Sequence, residues 1–173
     1  WWEEKLIAEA RGEPETTVAP PLGIVGHAPR PESAPRRMTE VLKLWPLLTA
    51  THRYDKSIST WRRGEGTMID APILAYLIET ANGRILYDVG CDYSKIQVPD
   101  LRARYFDPAT NNFGAPDMKD HQRIPHYLAR LGLLPEEIDV LFIGHLHFDH
   151  VGGLKELKRA GCGAEIHVHR AEV

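Results

Sequence analysis

The 173-residue sequence has little cysteine, no long apolar run and no excess of positive charge. Its two cysteines, Cys91 and Cys162, are too few and too far apart for a disulfide framework, so we expect a reducing, cytoplasmic environment. No stretch approaches the roughly 20 apolar residues of a membrane helix, and the opening WWEEKLIAEA is acidic, unlike a secretory signal. The formal net charge of −3 gives no general attraction to nucleic acid or to an anionic membrane.

The composition changes around Met38, the first methionine of the chain. Residues 1–37 are rich in Pro, Gly and Arg toward their end and show neither helical nor strand periodicity there. We expect residues 1–37 to be a linker or a non-native, disordered leader, with Met38 as the natural start. Residues 38–173 have orderly apolar patterns, and a chain that is 43% hydrophobic and 26% charged can bury one substantial core.

Three segments before Cys91 have the composition of β-strands. VLKLWPLLTATHRY, from Val41, is apolar and β-branched, and Pro46 favours a position at a sheet edge. RRGEGTMIDAP predicts a loop, and APILAYLIET and RILYDVG predict two further strands. Asn82 and Gly83 between these strands tolerate the positive φ of a type I′ turn, which predicts an antiparallel hairpin.

The second half of the chain alternates helices with strands. Residues 91–120 predict a long irregular loop of the kind that carries function. HQRIPHYLARLG predicts a helix with Pro125 in its first turn and Gly132 at its end. A helical turn at LPEEID, a strand DVLFIG buried on both faces, a helix over about residues 153–160 and a strand AEIHVHR follow. This alternation predicts an α/β fold whose layers cover the sheet.

One stretch concentrates side chains that bind metals. GHLHFDHVGG places three histidines and one aspartate within six residues, as His145, His147, Asp149 and His150. Residues two apart on an extended backbone point to the same side, so His145 and His147 can converge on one ion. Asp149 and His150 can serve a second ion if the chain turns there. The two glycines that follow make such a turn sterically cheap and let the backbone pass close to the site.

The chemistry of these donors indicates the metal. Imidazole nitrogen and carboxylate oxygen without thiolate suit two Zn²⁺ ions in an open, catalytic site, and they also accept Fe or Mn. Two ions about 3.5–4 Å apart would bridge a water, lower its pKa toward about 7 and stabilise the oxyanion that forms on an attacked carbonyl. The pattern therefore predicts a hydrolase.

With its HxHxDH signature, HLHFDH, the sequence resembles the metallo-β-lactamase-fold superfamily. The segments AYLIETANGRILYDVG, ARLGLLPEEIDVLFIGHLHFDHVGG and IHVHRAEV are similar to the N-acyl-homoserine lactonase branch and its relatives, which include the 4-pyridoxolactonases. The resemblance covers the chain from about Leu42 to Val173. It implies the N-terminal half of an αββα sandwich, truncated, with the ions at the edge between two sheets.

The resemblance also implies roles for individual residues. His145 and His147 would bind the first ion, and Asp149 and His150 the second. Asp149 would also protonate the departing alkoxide.

Asp88, in ILYDVG, would orient the metal ligands without touching an ion, although Val89 replaces the threonine that the family often has. The resemblance also implies that the family's remaining ligands lie beyond Val173. We therefore expect an N-terminal fragment that carries four ligands and has little activity alone.

Other histidines and one cysteine allow both a functional and a structural interpretation. We interpret His167 and His169 as alternate residues on one face of a strand, although their spacing also fits a metal site. His121 and His126 flank the start of a helix and are interpreted as capping or solvated groups. Cys91 is interpreted as a small buried residue rather than as a ligand or nucleophile.

For five aromatic residues, the sequence favours neither of two interpretations. His52 and Tyr54, on the first strand, either line a substrate pocket or lie on the surface. Tyr93, Tyr105 and Phe106, in the long loop, either form an apolar wall for an acyl tail or pack structurally.

The leading hypothesis is a metal-dependent hydrolase that opens the lactone ring of an N-acyl-homoserine lactone-like small molecule by attack of a metal-bridged hydroxide on the ester carbonyl. A thioester or other ester hydrolase of the same fold is the alternative, because the ions are indifferent to the leaving group. A nuclease is disfavoured by the acidic charge. An inactive metal-binding fragment or pseudoenzyme is the alternative outside the enzymes. We expect no nucleic-acid or membrane partner. The sequence leaves open whether the protein forms a homodimer.

Overall fold

The computed structural model describes residues 40–111 and 113–173, which form five strands and five α-helices. The expected leader at residues 1–37 and the expected start at Met38 lie outside the described residues. The strands are β1 (Val41–Asp55), β2 (Met68–Thr80), β3 (Gly83–Tyr87), β4 (Val140–Ile143) and β5 (Glu165–Val168). The helices are α1 (Tyr93–Gln97), α2 (Pro99–Tyr105), α3 (Ile124–Arg130), α4 (Phe148–Val151) and α5 (Leu154–Arg159).

The five strands form one sheet in their order along the chain, β1-β2-β3-β4-β5. β1, β2 and β3 pair antiparallel, whereas β3, β4 and β5 pair parallel. Each parallel connection passes through helices, because α1 to α3 precede β4, and α4 and α5 precede β5. The predicted α/β class is therefore confirmed as a mixed sheet with helical crossovers.

β1 is an edge strand, as its proline predicted. Pro46 lies opposite Tyr76 of β2, and on an edge strand a residue without an N–H is tolerated. β2 begins at Met68, earlier than predicted, so the end of the RRGEGTMIDAP segment is strand rather than loop. The long β1 explains the difference, because residues 68–72 pair with residues 51–55.

β2 and β3 form the predicted antiparallel hairpin, with Thr80 opposite Gly83. The predicted type I′ turn is wrong, because Asn82 keeps a negative φ and only Gly83, at φ 133°, has a positive one. The Thr80 hydroxyl stabilises the turn instead. It donates to the Gly83 carbonyl oxygen (2.9 Å) and accepts from the Asn82 N–H (3.1 Å).

The segment of residues 91–120, predicted to be irregular, contains the helices α1 and α2. Asp92 caps α1 by accepting hydrogen bonds from the backbone N–H groups of Ser94 (3.0 Å) and Lys95 (3.3 Å). Pro99 lies in the first turn of α2, where its missing N–H has no partner to lose. Both helices are too short to produce a clear apolar period in the sequence.

The helix predicted at HQRIPHYLARLG is confirmed as α3. Pro125 lies in its first turn, and Gly132, at φ 72°, follows its end. The turn predicted at LPEEID is a 3₁₀ turn, Pro135–Glu137. Of the helices in residues 40–111 and 113–173, none has the length and apolarity needed to cross a membrane.

The helices cover one face of the sheet. Leu86 of β3 and Leu141 of β4 pack there with Leu128 of α3 in the main core. The prediction that β4 is buried on both faces is wrong, because Phe142, between the buried Leu141 and Ile143, is 45% exposed. Alternating burial is typical of a strand with one covered face.

Phe142 belongs to a row of stacked rings on the opposite face of the sheet. The ring centroids of Tyr87 and Phe142 are 5.6 Å apart, and those of Phe142 and His167 are 6.4 Å apart. His167 also lies 3.3 Å, by its Nε2, from Glu165 Oε1. The interpretation of His167 as a residue of a strand face is confirmed. The same interpretation is wrong for His169, because β5 ends at Val168.

Candidate metal centre

The segment rich in metal-binding side chains lies where β4 ends. Residues 144–147 connect β4 to α4, and His147 is still extended, with φ −70° and ψ 153°. The chain then turns into α4, whose single turn contains Asp149 and His150. The turn that a converging site requires after the first two histidines is therefore present.

His145, His147 and Asp149 form a compact set of donors. One ring nitrogen of each histidine and one carboxylate oxygen lie within 4.8 Å of one another. Two donors bound to one zinc ion at about 2.0–2.2 Å are at most about 4.4 Å apart. Small side-chain adjustments thus bring all three onto one ion. The chemistry of these donors, nitrogen and oxygen without thiolate, also fits a divalent transition metal.

His150 lies beside this set. Its ring centroid is 3.8 Å from that of His145, and its Nε2 is 3.6 Å from Asp149 Oδ2. Its Nδ1 lies 2.6 Å from Asp88 Oδ2, and it must donate there because an ionised carboxylate can only accept. Nε2 is consequently the nitrogen of His150 available as a metal donor, on the side of Asp149.

Asp88 connects the end of β3 to the donor segment. Its side chain is buried, and its Oδ1 accepts a hydrogen bond from the Gly144 N–H (2.8 Å), while Oδ2 accepts from His150. Its φ of 59° is uncommon for a residue other than glycine, and aspartate is among the few that tolerate it. These contacts support the prediction that Asp88 orients the ligands. Val89, the next residue, packs in the main core.

Gly152 and Gly153 are required by close backbone packing. Their φ values, −59° and −73°, are accessible to any residue, so the turn itself does not need glycine. A Cβ on Gly152 would overlap the backbone nitrogen of Asp92, and one on Gly153 would overlap the carbonyl oxygen of Val89. Of the two predicted reasons for the glycines, close passage of the backbone is therefore the correct one.

Glu172 is a neighbour of the donor set that sequence reasoning missed. Its Oε2 accepts from the backbone N–H of Leu146, which lies between the first two histidines, at 3.1 Å. Glu172 belongs to the 3₁₀ turn Arg170–Glu172, which follows β5 and reaches the donor segment because β5 pairs with β4. The two residues are 26 positions apart, so no local sequence pattern connects them.

The surroundings of His145 favour its neutral form. Burial lowers the pKa of His145, and the positive charges of His150 and His147 lower it further. The carboxylates of Asp149 and Glu172 act in the opposite direction but do not reverse the shift. Neutral imidazole is the form that binds metal, so the direction of the shift suits a ligand at neutral pH.

Cys91 lies close to the donor set but does not belong to it. Its thiol is buried, and burial, together with the charges of Asp149 and Asp92, raises the pKa of Cys91 to about 12. Such a thiol stays protonated at neutral pH and is a poor nucleophile and metal ligand. The interpretation of Cys91 as a small buried residue is confirmed. Cys91 and Cys162 are both free thiols.

A surface cavity of about 790 Å³ adjoins the donor segment. Leu146 and Phe148, which alternate with the donor residues along the chain, form one part of its wall, and Tyr105 and Phe106 form another. The rings of Phe106 and Phe148 meet edge to face, with centroids 5.6 Å apart. A volume of this size is typical of small-molecule sites. The other lining residues are Asp92, Lys95, Asn111, Val151, Gly152, Leu154, Lys155 and Lys158.

The aromatic side chains in the segment of residues 91–120 differ in their roles. Tyr105 and Phe106 line the cavity, as the interpretation of an apolar wall required. Tyr93 is not part of this lining. The Arg123 guanidinium lies over the Tyr93 ring, 5.0 Å from its centroid, which favours the structural interpretation for this residue.

His52 supports the cavity wall without lining it. Its side chain is 6% exposed, and its Nε2 donates to the Phe113 carbonyl oxygen at 2.9 Å. Its ring centroid lies 6.1 Å from that of Phe148 and 5.6 Å from that of Tyr54. Neither of the two sequence interpretations, pocket lining or surface, describes His52, because it is buried behind a wall residue.

The remaining histidines lie apart from the donor set. His126 Nδ1 is 3.1 Å from Asp120 Oδ2 near the start of α3, and His121 is exposed. His169 Nδ1 accepts from the Ala171 N–H (3.2 Å) and so caps the following turn. Within residues 40–111 and 113–173, none of the three belongs to a group of potential metal ligands.

Comparison with known proteins relates the chain to one family. Residues 68–172 match the model of the metallo-beta-lactamase superfamily. An N-acyl homoserine lactonase from a Bacillus species is 36% identical over 107 residues, which are 62% of this chain and 40% of that protein. The N-acyl homoserine lactonase AiiB of Agrobacterium fabrum is 35% identical over 86 residues, which are 49% of this chain and 29% of that protein.

Solved structures show a similar relationship. An N-acyl homoserine lactone hydrolase with the product N-hexanoyl-L-homoserine bound at its catalytic metal centre gives a TM-score of 0.63 at 30% identity, covering 76% of this chain and 50% of that chain. A quorum-quenching N-acyl homoserine lactone hydrolase gives 0.60 at 29% identity, covering 76% and 48%. The chain spans about half of the length of these structures and less of the two lactonases above.

Proposed function

The chain belongs to the metallo-beta-lactamase superfamily, and from this premise we propose that it serves the metal-dependent hydrolysis of a lactone ring in an N-acyl homoserine lactone-like substrate. The observation that carries the proposal is the convergence of His145, His147 and Asp149 after β4. It is supported by similarity to proteins named N-acyl homoserine lactonases.

We infer two bound divalent ions, for which zinc suits the donors best and Fe or Mn is compatible. His145 and His147 would hold the first ion, and Asp149 and His150 the second. Asp149 lies close to all three histidines, so its carboxylate would be within reach of either ion. Bound there, the ions supply Lewis acidity toward an ester carbonyl and lower the pKa of an attacking water.

Asp149 is proposed to take a proton from the attacking water and to pass it to the departing alkoxide. Opening a lactone leaves the former ring oxygen negatively charged, and a positioned acid accelerates its departure. The Asp149 carboxyl is half-buried beside His150. His150 Nδ1 donates a hydrogen bond to the buried Asp88. This bond orients the imidazole so that its other nitrogen, Nε2, faces Asp149 Oδ2. The position of the pair is therefore held by a residue that touches neither the ions nor the substrate.

The cavity next to the donor segment is the proposed site of the acyl group. Phe148 follows His147 directly in the chain, so an acyl group that lies along Phe148 and Phe106 places the attached ring close to the donors. The volume of about 790 Å³ is sufficient for an acyl chain of several carbons.

The proposal is tested by measuring the acid that is released when the natural protein that contains this chain opens the ring of N-hexanoyl homoserine lactone. We expect turnover to stop when the metal is removed by a chelator and to return with Zn²⁺. Asp149→Asn should lower kcat at least about a hundredfold, because general acid catalysis contributes at least that factor. Asp100→Asn, a change of the same kind at an exposed position in α2, is the matched control.

Two results would contradict the proposal. One is turnover that is insensitive to chelation. The other is turnover of thioesters or open-chain esters alone, across a panel in which no lactone is opened.

A further inference from the structure

Positive charge is concentrated at the cavity beside the donor segment. The chain has a net charge of −3, yet the cavity is lined by three lysines and by one acidic residue, Asp92. The cavity lysines are Lys95, Lys155 and Lys158. A plain alkyl chain requires only an apolar lining, whereas this cavity combines apolar walls with ammonium groups.

Among the described residues, the single acidic residue forms no ion pair with any of the cavity lysines. The Asp92 carboxylate accepts two backbone hydrogen bonds at the start of α1, so it is engaged as a helix cap. In the part of the chain that the structure describes, lysine ion pairs within 4.0 Å are formed by Lys43 and Lys119, which lie outside the cavity. The cavity lysines therefore have no carboxylate partner among the described residues.

The positions of the cavity lysines allow them to act on one ligand. Lys155 and Lys158 lie three residues apart on α5, so they share one face of the helix. Lys158 donates one hydrogen to the Ala164 carbonyl oxygen (2.8 Å), which holds its ammonium in place and leaves two donors. On α1, Lys95 Nζ lies 4.2 Å from the centroid of the Tyr105 ring, which fixes a third positive charge at the wall.

We propose that this cavity selects substrates whose acyl group ends in a carboxylate. The inference rests on the proposed lactone hydrolysis and extends it from the ring to the acyl group. The rings of Phe106 and Phe148 would hold the methylene chain, and the cavity lysines would bind the terminal carboxylate through charge-assisted hydrogen bonds. A plain alkyl chain would gain only the apolar contacts.

Binding of two matched lactam analogues tests the proposal without turnover. One carries a hexanoyl amide, and the other carries the same chain with a carboxylate at its end. For the zinc-loaded protein, we expect calorimetry to give a Kd about tenfold lower for the carboxylate analogue. The ratio should shrink as salt is added, because exposed charges are screened.

Substitution of the lysines assigns the effect to the cavity. Lys155→Gln with Lys158→Gln should bring the Kd ratio close to one, whereas Lys119→Gln, outside the cavity, should leave it unchanged. Thermal melting reports whether the variants fold. If the double variant does not fold, the Kd ratio of the wild type and its dependence on salt decide the question.

Equal affinities of the wild type for the two analogues would overturn the proposal, and so would a ratio that the double variant retains. Measuring the hydrolysis of the two corresponding lactones distinguishes a failure of the selectivity from a failure of the proposed lactone hydrolysis. Turnover of both lactones with equal kcat/KM and equal binding overturns only the selectivity. Selective binding of the carboxylate analogue without turnover of either lactone supports the selectivity and contradicts lactone hydrolysis.

Discussion

Substitution of Asp88 separates the stability of the fold from the orientation of the candidate metal centre. Asp88 is 3% exposed, has φ 59° and accepts hydrogen bonds from Gly144 N–H (2.8 Å) and His150 Nδ1 (2.6 Å). Alanine loses both bonds, at about 1 kcal/mol each, and costs about 1 kcal/mol more in the left-handed conformation. Asp88→Ala should therefore lower the free energy of unfolding by about 3 kcal/mol.

Asparagine at the same position has a different effect. It tolerates the positive φ, and its oxygen can still accept from Gly144, but its amide nitrogen faces His150 Nδ1 as a donor. His150 must then move its hydrogen to Nε2, the nitrogen proposed to bind metal. We expect Asp88→Asn to lose only about 1 kcal/mol of stability while the zinc affinity falls about ten- to a hundredfold.

Urea unfolding of the metal-free variants and zinc titration against a competing chelator measure the two quantities. Wild-type zinc affinity in Asp88→Asn would refute the orienting role of the carboxylate. A loss of stability in Asp88→Asn equal to that in Asp88→Ala would show that the left-handed conformation and the Gly144 bond contribute less than we infer.

Three further predictions concern the packing and charges around the site. Gly153→Ala should lower the free energy of unfolding by more than about 3 kcal/mol, because its Cβ meets a backbone carbonyl oxygen, whereas Gly163→Ala, in open space, should be close to neutral in the same urea titration. Cys91, whose pKa burial raises to about 12, should resist iodoacetamide in the native protein at pH 8 and react in urea; rapid native labelling seen by mass spectrometry would contradict its burial. Hydrogen bonds, chiefly from Ser57, lower the pKa of Asp55 below its ordinary value of 3.8, so the stability that they add is present above pH 3.8 and is lost as pH falls through the lowered pKa. Asp55→Asn should thus be less stable than the wild type at pH 7 and approach it in acid, and a gap that persists at the lowest pH would contradict the shift.

Local patterns in the sequence were sufficient for most of the fold. The strand-like segments APILAYLIET and RILYDVG and the turn residues Asn82 and Gly83 predicted the β2–β3 hairpin, although not the type of its turn. Pro125 and Gly132 marked both ends of α3. The spacing of His145 and His147 on an extended backbone predicted that these two converge. The place of Asp149 beside them depends on the turn that follows His147, which the sequence left as a condition.

Contacts between distant segments could not be predicted in the same way. Asp88 and His150 meet because β3 and β4 pair in parallel, and Glu172 reaches Leu146 because β5 lies next to β4. The exposed side of β4 depends on which face the helices cover, a property of the tertiary structure that an apolar run does not specify.

Metal binding by the histidines that follow β4 is tested most directly by anomalous diffraction at the zinc absorption edge, on crystals of the protein purified without chelators. We expect an anomalous peak about 2.0–2.1 Å from one ring nitrogen each of His145 and His147. Complete data with no anomalous density near these rings, at full occupancy of both side chains, would contradict the assignment.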